Sequence, residues 1–190
     1  MSNSEGITDD ARKREEEYFH RRDRELIERM RRERDAADAR NALATATGIR
    51  DPESLRELEA LGFTPATVAL LPLVPVLQVA WAEGGVSPAE RELIVNLART
   101  RDIPPGSDAD SQLQEWLHRR PSDDTFRKAG RLIRAMLDHP EGTEMQLSAD
   151  DLLKYCEQIA HASGGIFGFG SVSAEEKSAL AQVAAQLKQR

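Results

Sequence analysis

The sequence predicts an all-α fold, a compact bundle of about seven helices with an internal two-fold repeat, preceded by a long charged helix. Only 5% of the residues are aromatic and 31% are charged, a composition typical of charged helical proteins. Apolar residues recur at spacings of three and four, and no segment alternates with period two as a half-buried strand does. We take residues 1–8 as disordered, 9–47 as a helical extension and 48–190 as the helical domain.

The extension has no Gly or Pro between Asp9 and Ala46, and it is rich in Glu, Arg and Ala, which are good helix formers. Its few apolar residues form a thin stripe that is too sparse for a self-sufficient coiled coil. We therefore expect this helix to bind a partner surface. The expected partner-binding residues are Tyr18, Phe19, Leu26, Ile27 and Met30.

The domain opens with two helix-start signals. Asp51-Pro52 and Thr64-Pro65 each place a capping residue before a proline, the pattern of an N-cap followed by the first helical position. The first signal opens a short helix. The second opens an apolar helix that we expect to run to Glu83, with a kink or break because Pro72 and Pro75 lie inside it.

The later helices have comparable signals. Ser87-Pro88-Ala89-Glu90 is a capping box with proline at the first helical position. Further helices are expected over residues 109–119 and 126–137, and after the capping residues Ser148 and Ser173.

The segment from Ala80 to Glu90 has an echo between Ala160 and Glu176. Gly84-Gly85 matches Gly164-Gly165, and the second copy carries a six-residue insertion, 166–171. The repeat indicates two related helix-turn-helix halves. Any site is expected where the two turns meet.

The order of a helix, an acid before two glycines, then Val86-Ser87-Pro88 and Glu90 resembles the TerB-like domain of the tellurite-resistance family over roughly residues 50–190. The resemblance implies a non-enzymatic, stress-related binding module that often acts beside membrane or regulatory proteins. It also implies acidic residues near the turns that bind a divalent metal, matched by Glu83, Glu90 and Glu176. Because Ser163 stands where a further acid is expected, we predict either no cofactor or a weakly bound divalent cation.

Two alternatives concern the same residues. Glu90 and Glu176 each follow a serine by three positions, so capping explains them without a metal. Phe167 and Phe169 lie in a glycine-rich stretch, where apolar side chains either fold back onto the core or contact a partner. We keep both phenylalanines as candidate partner-binding residues.

The run from Glu15 to Leu26 resembles the inhibitory segment of the mitochondrial ATPase inhibitory factor, in which glutamates precede Tyr-Phe and spaced arginines. This likeness implies a helix inserted at a rotary ATPase interface, with Tyr18 and Phe19 as anchors. A solvated helix with acid-base pairs at spacings of three and four also explains the pattern. Regulation of a rotary ATPase is therefore the alternative function.

Charge and cysteine content bound the remaining possibilities. Residues 1–50 carry 12 basic and 12 acidic side chains, whereas residues 51–190 carry 14 and 21, so nucleic acid is not an expected partner. The longest apolar run, residues 68–82, is shorter than the roughly 20 residues of a membrane span. One cysteine and no nucleophile-base set predict a cytoplasmic protein that is not an enzyme. Homo-oligomerisation and peripheral contact with a membrane protein stay open.

Overall fold

The computed structural model describes residues 4–138, 148–162 and 172–188, with side chains from residue 16 onward. Within these ranges it contains eight α-helices, one 3₁₀ helix and no strand, which confirms the predicted all-α class. The helices are α1 (Ser4–Thr47), α2 (Pro52–Ala60), the 3₁₀ helix (Val68–Leu73), α3 (Val74–Ala80), α4 (Pro88–Thr100), α5 (Asp108–His118), α6 (Asp123–Asp138), α7 (Ala149–Ala162) and α8 (Ala174–Lys188).

The chain divides into two units, residues 1–41 and 42–190, and helix α1 ends at Thr47, the predicted end of the extension. Helix α1 begins at Ser4, within the residues 1–8 that we expected to be disordered. Once a helix is nucleated, further residues extend it at small cost, even across Gly6. The second unit includes the last turns of α1, where Leu43 and Thr47 are buried.

The apolar segment after α2 is broken, as its prolines predict, and it does not continue to Glu83 as one helix. A 3₁₀ helix with Pro72 inside it leads into α3, and Pro75 lies in the first turn of α3. A proline is tolerated in the first turn because the backbone N–H groups there have no partner within the helix. The resulting short α3 is buried along almost its whole length.

Two pairs of consecutive helices, α3 with α4 and α7 with α8, pack against each other. Helix α3 packs against α7, α8 packs on both α7 and α3, and α4 packs on α7. Each pair thus places its second helix against the first helix of the other pair. This arrangement agrees with the internal repeat that the sequence predicts.

One corner of the domain joins α3, α4 and α5. The indole Nε1 of Trp81, at the end of α3, donates a hydrogen bond to the carbonyl oxygen of Trp116 at 2.9 Å. Arg91 donates from Nη2 to the carbonyl oxygen of Leu117 at 2.8 Å. These bonds hold the Gly-Gly turn between α3 and α4 beside the last turn of α5.

Candidate functional site

Two capping boxes start α4 and α8. The Ser87 N–H donates to Glu90 Oε2 at 2.7 Å, and the Glu90 N–H donates to Ser87 Oγ at 3.3 Å. In the second half the corresponding Ser173 and Glu176 bonds measure 2.7 and 3.1 Å. Glu90 and Glu176 are only 2% and 1% exposed. The capping interpretation of both glutamates is confirmed.

The glutamates in the first turns of α4 and α8 lie close enough to interact electrostatically. Burial raises the pKa of Glu90 above its usual 4.5, and the hydrogen bonds from Ser87 oppose that rise. The negative charges of Glu176 and of Glu83 raise this pKa further. Glu83 and Glu176, one from each half, therefore both repel the Glu90 carboxylate, although Glu83 itself is exposed.

The geometry gives little support for the binding of a metal ion by these carboxylates. Among the residues that the structure describes, no group of three or more His, Cys, Asp or Glu side chains is placed to hold a metal ion. One oxygen each of Glu90 and Glu176 accepts a serine N–H. A hard cation such as Ca²⁺ takes six to eight oxygen ligands. Binding of a divalent cation by Glu83, Glu90 and Glu176 stays a prediction.

The apolar stripe of α1 faces solvent. Of the six large apolar side chains that are exposed in the described part of the chain, five belong to this helix, and their exposed fractions run from 44% to 59%. These five are the predicted partner-binding residues Tyr18, Phe19, Leu26, Ile27 and Met30. The other two candidates, Phe167 and Phe169, lie outside the described residues.

A groove of about 740 Å³ lies between the end of α3, the start of α6 and one face of α8. Aromatic rings, uncharged polar side chains, two arginines (Arg120 and Arg127) and two acids (Asp123 and Glu175) line it. The aromatic and uncharged polar residues of the lining are Gln78, Trp81, Phe126, Ser178, Gln182 and Gln186.

The groove was not predicted from the sequence, because three segments far apart in the chain form it. One local signal was available. Ser178, Gln182 and Gln186 recur every four residues, which places uncharged polar groups along one side of α8.

Comparison with known proteins adds no relative. No family model matches the chain. No curated protein and no solved structure matches it significantly either. The resemblances to the TerB-like domain and to the ATPase inhibitory factor therefore remain predictions. None of the described helices has both the length and the apolar character required to cross a membrane.

Proposed function

We propose that this protein is a binding module that recognises a protein partner through the apolar stripe of α1 and acts without catalysis. The concentration of exposed apolar side chains on α1 carries the proposal. Leu26 follows Phe19 by seven residues and Met30 follows Leu26 by four, so the three lie along one side of the helix. Burial of such a stripe against a partner helix or groove is a common mode of recognition.

The surroundings of the stripe support this role. Arg and Glu side chains flank it, with ion pairs such as Arg29–Glu33 at 3.9 Å on the exposed surface. Exposed pairs of this kind contribute only about 0–1 kcal/mol each, so they add little to the helix and exchange readily with a partner's charges. Binding energy would come from the apolar side chains, since burial of one such side chain stabilises by about 1.5–3 kcal/mol.

A stripe variant tests the proposal. The full chain carrying Phe19→Ser, Leu26→Ser and Met30→Ser is compared with a matched variant of the polar face, Arg24→Ser with Glu28→Ser. Both are used for affinity capture from cell extract and for mass measurement by light scattering over a range of concentrations.

We expect a defined set of captured proteins, or a concentration-dependent dimer, that the stripe variant loses and the polar-face variant keeps. Equal capture by both variants, with equal masses, would contradict the proposal. The TerB-like resemblance implies that the partner belongs to a stress response.

A second candidate is regulation of a rotary ATPase through the same helix. It is supported by the unbroken course of α1 and by the exposure of Tyr18 and Phe19, whose rings lie edge to face at 5.8 Å. We expect the full chain to slow ATP hydrolysis by a bacterial rotary ATPase, and Tyr18→Ala with Phe19→Ala to remove the effect. Unchanged turnover with excess full chain would exclude this function.

A further inference from the structure

The charges along the groove between α3, α6 and α8 compensate one another. Arg120 and Arg127 line it together with Asp123 and Glu175, so the lining carries no net charge. Arg120 is ion-paired with Asp123, and Arg127 is ion-paired with Asp124 beside the groove. A charged ligand would give up part of its hydration here without meeting a net charge of opposite sign. The electrostatics of the groove therefore favour an uncharged ligand.

The uncharged polar side chains of the groove are available to a ligand. Ser178, Gln182 and Gln186 recur every four residues, at intervals of about 6 Å along α8, and Gln78 of α3 lines the same groove. Within the part of the chain that the structure describes, these four side chains form no hydrogen bond. A carboxamide both donates and accepts, and so does a hydroxyl. These side chains therefore match a ligand whose polar groups both donate and accept, as hydroxyl groups do.

Trp81 adds an aromatic surface beside these polar groups. Its indole Nε1 donates to the Trp116 carbonyl oxygen at 2.9 Å, so the ring is held in place while it is still partly exposed. Phe126, Ala82 and Ala179 extend the apolar part of the lining. An aromatic ring beside convergent polar groups suits a ligand with an apolar face and a polar rim. A sugar ring has both, because its C–H groups form the face and its hydroxyl groups form the rim.

We propose that the groove between α3, α6 and α8 binds an uncharged oligosaccharide. The carboxamides of Gln78, Gln182 and Gln186 hydrogen-bond to its hydroxyl groups, and one of its rings lies against Trp81. The groove follows α8 over about 18 Å, from the first residue of the helix to Gln186, so it accommodates a chain of sugar rings and not only one. This site lies in the domain, and its ligand differs in class from the protein partner proposed for the stripe of α1.

Oligosaccharides that differ in charge and in linkage test the ligand class. The full chain is titrated with three uncharged trisaccharides, maltotriose, cellotriose and tri-N-acetylchitotriose, and with two charged ones, trigalacturonate and the glucosamine trimer. Binding is followed by NMR through the side-chain amide signals of Gln78, Gln182 and Gln186 and the indole signal of Trp81. We expect saturable shifts with at least one uncharged trisaccharide, and binding of both charged ones that is weaker by about tenfold or more.

A glutamine outside the groove supplies the control for the hydrogen bonds. Gln182→Ala with Gln186→Ala removes two of the carboxamides and should weaken binding of the uncharged trisaccharide about tenfold or more. Gln158→Ala makes the same chemical change at an exposed position of α7 that does not line the groove, so it should leave binding unchanged.

The two acids of the groove test the selection by charge. Asp123→Asn with Glu175→Gln leaves Arg120 and Arg127 without compensation in the lining, so binding of trigalacturonate should strengthen about tenfold. The matched control makes the same two changes, Asp108→Asn with Glu115→Gln, at exposed positions of α5 that do not line the groove. Its binding of trigalacturonate should equal that of the wild type.

A blocked eight-residue peptide of alternating Asn and Thr supplies an uncharged ligand of another class, and it should bind more weakly than the best trisaccharide. Three results would overturn the proposal. They are no saturable shift with any uncharged trisaccharide at millimolar concentration, tighter binding of the peptide or of a charged trisaccharide, or equal weakening by groove and control variants. Thermal melting of each variant checks that the fold is retained. The stripe variant of α1 should bind the trisaccharide as the wild type does, so this site and the proposed function succeed or fail separately.

Discussion

Replacing Glu90 with glutamine separates the two effects of this buried side chain on stability. Its Oε2 accepts the Ser87 N–H at 2.7 Å, and a glutamine oxygen can accept the same bond. The charge acts in the opposite direction, because burial and the charges of Glu176 and Glu83 raise the pKa of Glu90. A raised pKa in the folded state gives a contribution that is complete below the unfolded-state pKa and is lost as pH rises through the folded-state pKa.

The glutamine variant lacks this titration, so we expect the wild type to lose stability relative to Glu90→Gln over the pH range that lies above the usual glutamate pKa of 4.5. Each unit by which folding raises the pKa corresponds to about 1.36 kcal/mol of that loss. Glu90→Ala instead leaves the Ser87 N–H without its acceptor and should cost about 1–3 kcal/mol. In a chain of this size each kcal/mol lowers Tm by about 2–4 °C.

Urea unfolding followed by circular dichroism measures these differences at several pH values in that range. Glu92→Gln is the matched control, because it removes a negative charge from an exposed position of the same helix. Its difference from the wild type should change little with pH. The reasoning is refuted if the wild type gains stability relative to Glu90→Gln as pH rises, or if Glu90→Ala is as stable as Glu90→Gln.

Three further outcomes are expected. Burial raises the pKa of the Cys156 thiol to about 12, so a thiol-specific reagent at pH 8 should label the protein only after unfolding, and rapid labelling of the native protein would contradict this. Gly130→Ala places a Cβ 2.8 Å from Oε1 of Gln186, a flexible side chain that can move aside. Because alanine favours helix over glycine, the free energy of unfolding should rise by up to about 1 kcal/mol in urea melts, and by more when Gln186→Ala is added. A loss of stability in the double variant would contradict this. If a divalent cation binds at the turns, millimolar Ca²⁺, Mg²⁺, Mn²⁺ or Zn²⁺ should raise the Tm of the wild type and not of Glu90→Gln; no shift with any of them removes the metal prediction.

The starts of α2, α4 and α8 could be predicted from the sequence because their causes are local. The start predicted at Thr64-Pro65 was wrong, because residues 65–67 form a turn and the 3₁₀ helix begins at Val68. Asp51 caps α2 through the Ser54 N–H at 2.8 Å, and Ser87 and Ser173 cap α4 and α8 as their spacing to a glutamate predicts. The prolines likewise predicted the break before α3. The 3₁₀ geometry of Val68–Leu73 was not predictable, because burial of these apolar side chains selects it and the sequence carries no signal for tertiary packing.

The site residues divide in the same way. Exposure of Tyr18 and Phe19 follows from a charged helix with few apolar neighbours, which can be inferred from composition. The burial of Glu90 depends on packing between residues that are far apart in the chain. The groove depends on how α3, α6 and α8 cross, and the recurrence of Ser178, Gln182 and Gln186 every four residues is the local signal for it in the sequence. The burial of Glu90 and the groove could be found only from the folded structure.

Trp81 and Trp116 are joined by a hydrogen bond, so tryptophan fluorescence reports on a single place in this protein. The chain has only these two tryptophans, and they lie at one corner of the domain, while α1 has none. Tryptophan emission, excited selectively at a wavelength that tyrosine does not absorb, therefore reports on that corner, whereas circular dichroism at 222 nm includes the 44 residues of α1. If α1 melts independently of the domain, the ellipticity will fall before the emission changes. The wild-type protein thus carries a label for one of its two units without modification.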